Sequence, residues 1–145
     1  MASASKQSAI PGSVEHLNPA TMHHNPAFSQ AVVVSGAVKT VYVGGQNAVD
    51  ASGTIIGKGD IAAQTEQVMK NLQAALAAGG AGLEHVIKWN MYLVQGQPLQ
   101  PGFAVFQRVW GQRPNPPTIS AVMVAGLANP DYLLEMDAIA VVPLT

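Results

Sequence analysis

Residues 115–125 and 132–142 constrain the fold of this chain more than any other stretch. In Asn115-Pro116-Pro117-Thr118-Ile119-Ser120-Ala121-Val122-Met123-Val124-Ala125 the proline pair can stand only at the start of a strand, because proline has no N–H to give to a ladder. The β-branched run behind it suits a pleated, buried surface. Gly126-Leu127-Ala128-Asn129-Pro130-Asp131 then reverses the chain into a second strand. Alternation puts Leu133, Glu135, Asp137, Ile139 and Val141 on one face of that strand and Tyr132, Leu134, Met136, Ala138, Ala140 and Val142 on the other. Two carboxylates therefore stand among aliphatic neighbours, and chemistry is to be sought there.

Upstream, Ala31-Val32-Val33-Val34-Ser35 reads as a strand, Gly36-Ala37 as a hairpin tip and residues 40–45 as the returning strand. Residues 47–59 are turn-rich around a short Thr54-Ile55-Ile56 strand. Asp60 is a good N-cap for a helix in which Ile61, Thr65, Val68, Leu72 and Leu76 share a face; Gln64, Lys70, Asn71 and Gln73 fall on the other, and Gly79-Gly80 ends it. Residues 86–94 alternate as a strand. A second helix over 102–110 follows the breaker at 98–101 and puts Phe103, Phe106 and Trp110 on one side, read as core. Helices alternating with strands predict two crossovers packed on a single sheet face, leaving an apolar face bare.

Something must cover that face. The chain is 48% hydrophobic and only 10% charged, against about 25% charged for an ordinary domain, and subunit contacts are apolar and charge-poor. A homo-oligomer is the expectation. The 145 residues fit one domain over 20–145 behind a flexible N-terminal arm, 1–19, which is polar and broken by Pro11-Gly12. No apolar run is long enough to span a bilayer and the start has no export pattern, so no membrane partner and a cytoplasmic location are expected. A net charge of -1 without a Lys/Arg cluster speaks against nucleic acid. The chain has no cysteine for thiolate chemistry, and His16, His23, His24 and His85 have no zinc spacing, so neither metal nor cofactor is expected.

Phe28-Ser29-Gln30-Ala31-Val32, Val43-Gly44-Gly45-Gln46, Asp60-Ile61-Ala62-Ala63-Gln64-Thr65, Lys70-Asn71-Leu72 and Glu135-Met136-Asp137-Ala138-Ile139-Ala140-Val141 occur in the order and spacing of one family. Over nearly all of 25–142 the chain resembles the Rid (YjgF) reactive-intermediate deaminases. The resemblance implies an α+β, chorismate-mutase-like (YjgF-like) fold, with a mixed sheet and two helices on one face. It also implies a homotrimer with a small-molecule cleft between subunits, where an imine or enamine is hydrolysed. A family arginine grips the substrate carboxylate and a glutamate positions water.

Carried over residue by residue, that glutamate matches Glu135 and the family's Gly-Gln matches Gly45 and Gln46. The arginine of Pro-x-Arg-Ser falls on Ile119, the usual tyrosine on Phe28, and a helix asparagine on Phe103. Ala121 completes the expected pocket wall. Isoleucine cannot donate to a carboxylate, so the expectation is a poor 2-aminoacrylate deaminase whose cleft takes a less charged C–N compound. The rival reading is a non-catalytic trimer that binds a small molecule or regulates a partner, since a fold does not fix a function. His23 and His24, just before Phe28, read either as an exposed loop pair or as a proton shuttle. Arg113 reads either as a solvated loop residue or as a substitute clamp.

Overall fold

The computed structural model describes residues 10–145. Six strands and two helices follow in the order β1 (Ser13–Leu17), β2 (Ala31–Ser35), β3 (Val38–Gln46), α1 (Ile61–Ala78), β4 (Val86–Val94), α2 (Gln100–Trp110), β5 (Thr118–Val124) and β6 (Leu134–Pro143). Strands β3 to β6 form one mixed sheet in the order β3-β6-β4-β5. β4 and β5 are parallel, and β6 lies antiparallel between β3 and β4. Each helix is therefore a crossover between strands of one direction, and both pack on the same face, as expected.

α1 starts where Asp60 accepts the Ala63 N–H at 3.1 Å and ends where Gly79 and Gly80 bond back to its last carbonyls. Its buried stripe of Ile61, Val68, Leu72 and Leu76 meets Val43, Trp89, Met91, Met136 and Ala138 of the sheet in one core. α2 crosses α1 closely because Gly102 has no side chain: a methyl there would lie 3.1 Å from Thr65 Oγ1 and 3.3 Å from Ile61 Cγ1. α2 begins two residues earlier than its pattern suggests, since Pro101 suits a helix's first turn, where an N–H has no partner to lose.

Four expectations need correction. Ser13–Leu17, assigned to the loose arm, is a strand paired with β2, Val14 opposite Val34 and His16 opposite Val32. The rest of that arm up to residue 9 lies outside the described residues. Gly36 does turn the chain, with φ of 76°, but β2 and β3 do not pair: β2 joins β1, and β3 takes the edge of the main sheet beside β6. The Thr54-Ile55-Ile56 strand shrinks to a single bridge between Val49 and Ile55. Gln64 is not on the outer face of α1 but fully buried, its amide donating to the carbonyls of Gly57 and Asp131 and accepting from Leu133 N–H. Asn71 likewise ties α1 to the carbonyls of Asn47 and Val49.

The face away from the helices also differs from the sequence reading. It is not uniformly apolar. Lys88, Asn90 and Tyr92 of β4 pair with Ile139, Asp137 and Glu135 of β6, so a polar cluster stands at its centre, flanked by the exposed Tyr42 and Val122.

Candidate functional site

On the helix-bearing side, an open cavity of about 140 Å³ lies at the β5 edge. Register explains its floor: Met91 of β4 is opposite Ala121 of β5, and Ile119 is opposite Trp89, so Ile119 and Ala121 point toward the helices. One stripe of α2, Phe103, Phe106 and Gln107, forms the wall, and Ala27 from the loop before β2 closes it. Phe28 does not line the cavity; its neighbour Ala27 does.

That loop is latched onto the entry of β5. Ser29 is buried, its N–H donates to Pro117 O at 3.1 Å and its hydroxyl to Pro116 O at 2.6 Å. His16 Nδ1 of β1 lies 3.2 Å from both the Ser29 hydroxyl and Pro116 O. β1 thus braces the loop that presents Ala27. Gln107 alone among the lining residues carries a polar side chain, and no cation is among them.

Arg113 does not reach Ile119. Its Nη1 donates to Val109 O at 3.1 Å and Trp110 O at 2.6 Å, capping α2, and the guanidinium lies 5.8 Å from the Trp110 ring centre. His23 and His24 are exposed, and His23 contributes its backbone carbonyl to Gln30 Nε2.

Glu135 stands on the opposite face of the sheet. Its neighbour Met136 pairs with Met91 toward the helices, so alternation turns Glu135 to the open side, where it pairs with Tyr92. The carboxylate lies across Gly45: a methyl there would fall 2.5 Å from Glu135 Oε2, so only glycine leaves room for this placement. Gln46, which pairs with Met136 past an irregularity in β3, donates to Gly44 O at 3.0 Å. Asp137 takes the donors of this face, Asn90 Nδ2 at 2.7 Å and Tyr92 OH at 3.3 Å. The charge of Asp137, with burial and Glu135 adding to it, holds the Tyr92 phenol above its ordinary range, so Tyr92 stays a donor. Asp137 is thereby a structural acceptor, while among the described residues no side chain donates to the half-buried Glu135.

The expected site residues therefore fall into two sets. Phe103, Ile119 and Ala121 meet at the cavity; Glu135 lies against Gly45 on the other face, while Gln46, past an irregularity in β3, pairs with Met136. A sheet separates them. Among the described residues no group of three His, Asp or Glu side chains could hold a metal ion. No described helix is long and apolar enough to cross a membrane. Sequence reasoning missed Ala27, Met91 and Gln107 as cavity residues. The last had a signal, since it stands four residues after Phe103 on the same stripe of α2.

Known proteins share this architecture. A RutC family protein from Synechocystis is 35% identical over 120 residues, 80% of this chain and 86% of its own length. The 2-iminobutanoate/2-iminopropanoate deaminase of Rattus norvegicus is 31% identical over 115 residues, 79% of this chain and 80% of that protein. The crystal structure of a Rid-family protein of unknown function from Yersinia pestis superposes with a TM-score of 0.77 at 31% identity, covering 88% of this chain and 97% of that one. Other relatives carry names as different as putative endoribonuclease and putative regulator. The order of motifs, the two helices on a mixed sheet and the match of residues 20–142 to the family model described as endoribonuclease L-PSP agree, and the chain belongs to this Rid (YjgF) family.

Proposed function

We propose that the protein is a cytoplasmic homotrimeric hydrolase of small imines or enamines that carry no carboxylate next to the C=N bond. Its site would join the cavity of one subunit to Glu135 of the next. The observation that supports this is the separation of the two sets: a cavity without a base and a carboxylate without a cavity, on opposite faces of one sheet. A neighbouring copy that lays its open face beside the β5 edge supplies what each lacks. Gly45, Gln46 and Glu135 then come from one subunit, and Phe103, Ile119 and Ala121 from another.

In this reading Glu135 accepts a proton from water as the oxygen attacks the imine carbon. Return of that proton to nitrogen gives the tetrahedral carbinolamine; Glu135 then takes the carbinolamine hydroxyl proton and passes it to nitrogen as the C–N bond breaks, releasing ammonia and leaving a carbonyl. Hydrocarbon walls select the substrate, because a carboxylate buried against Ile119 and Ala121 would lose its hydration without a partner. The same apolar walls also suit the non-catalytic reading, binding without turnover.

Imines generated in situ from amino acids and from neutral amines of matched size distinguish the substrate classes. The neutral imines are expected to turn over faster. Ile119→Arg is expected to shift preference toward 2-imino acids by about 10- to 100-fold, the equivalent of one charge-assisted hydrogen bond. Equal wild-type rates on both classes, or no shift in the variant, would remove the substrate assignment.

A further inference from the structure

The cavity at Ile119 does not end at its own walls. Ala27, Phe106 and Gln107 also line a second hollow of about 320 Å³, which continues past Trp110 to Arg113. The inner compartment, at about 140 Å³, is close to a cavity of about 150 Å³ known to accept benzene. It is small for a ligand site, since such sites run to about 300–1,000 Å³, and the outer hollow supplies the missing room. The two differ in chemistry. Gln107 apart, hydrocarbon lines the inner one, whereas the outer one adds the Trp110 ring and the Arg113 side chain.

That guanidinium is held in place. Both bonds to the α2 carbonyls come from Nη1, and the group lies over Trp110, so among the described residues Nε–H and the Nη2 hydrogens have no protein acceptor. Among the described residues no carboxylate forms an ion pair with Arg113. A cation fixed before the ligand arrives loses little freedom on binding, which favours a planar anion that two N–H groups can grip.

We propose that the cleft binds an elongated amphiphile: an aryl or short alkyl group in the inner compartment and, several bonds away, a carboxylate on Arg113. The proposal rests on the site reading above only in placing the reacting end at Ile119. For an imine substrate, the acid group would then be remote from the C=N bond rather than adjacent to it. Specificity moves from the wall of β5 to the end of α2.

Binding can be read without turnover. An ω-phenylalkanoate series of increasing chain length, and the matched primary amides, are titrated against the full-length protein by calorimetry and tryptophan fluorescence. Expected is an optimum chain length at which the acid binds about tenfold or more tighter than its amide. Arg113→Met should abolish that preference, Arg113→Lys should keep part of it, and Ala121→Trp, which fills the inner compartment, should weaken acid and amide together. Equal affinity for acid and amide, a preference that survives Arg113→Met, or no binding at all overturns the proposal. Acid-selective binding with no hydrolysis of any imine leaves it standing and removes the catalytic reading instead.

Discussion

Glu135→Gln is expected to lower hydrolysis of the best neutral imine by about 10²- to 10⁴-fold, the usual contribution of a positioned acid–base group. Glutamine keeps the length and planarity of the side chain, so it can lie across Gly45 as glutamate does, yet it cannot take a proton from water. The exchange should be nearly silent for folding. Asp137, not Glu135, receives the donors of this face, so no structural bond is lost and stability should change by less than about 0.5 kcal/mol. Loss of activity without loss of stability separates a chemical role from a structural one. If every imine in the panel is hydrolysed at an unchanged rate, Glu135 has no part in the reaction.

The largest effect on stability should come from a residue far from that chemistry. Gln64 is fully buried; its Nε2 donates to Gly57 O at 3.2 Å and Asp131 O at 2.8 Å, and its Oε1 accepts from Leu133 N–H at 2.9 Å. These bonds tie α1 to the loop before it and to the turn that launches β6, hence to the placement of Glu135. Gln64→Ala leaves the Leu133 N–H buried without a partner and opens a void, so about 3–5 kcal/mol should be lost. Gln64→Met keeps the volume and removes only the polar groups, and should still cost about 2 kcal/mol. Urea unfolding at fixed protein concentration measures both, the fixed concentration being required if subunits associate. A loss below about 1 kcal/mol in Gln64→Ala would show that this amide is not the brace the geometry describes.

The sequence made some of this legible and hid the rest for physical reasons. β4 is bounded by its own alternation from Val86 to Val94, and α1 by the Asp60 cap and its five-residue buried stripe, because local spacing carries both signals. β1 was hidden because its partner is not local. Ser13–Leu17 has no hydrophobic run, and only its pairing with β2 makes it a strand. The hairpin reading at Gly36 misassigned the partner: the chain turns there, but β2 pairs with β1 and β3 with β6. Gln64 shows a different limit. A polar residue on the outer side of an apolar stripe looks solvated until the loops that cover it are in place.

For the site, alternation along β6 already put Glu135 on the face of Leu133 and Asp137. That Ile119 and Ala121 stand on the other face could not be read from β5 alone. It needs the register that sets Ala121 beside Met91 and Met91 beside Met136. Motif matching gathers these residues into one pocket, whereas the register divides Glu135 from Phe103, Ile119 and Ala121, and the proposed shared site rests on that division.

Subunit mixing tests that division most directly. Glu135→Gln keeps the cavity and loses the base; Ala121→Trp keeps the base and fills the cavity; each homo-oligomer should be inactive. Dissociated, mixed in equal amounts and reassembled, they should recover about a quarter of wild-type activity, since a shared site needs one intact half from each neighbour. Complete inactivity of mixed oligomers, with their composition verified by native mass spectrometry, would contradict a site shared between subunits.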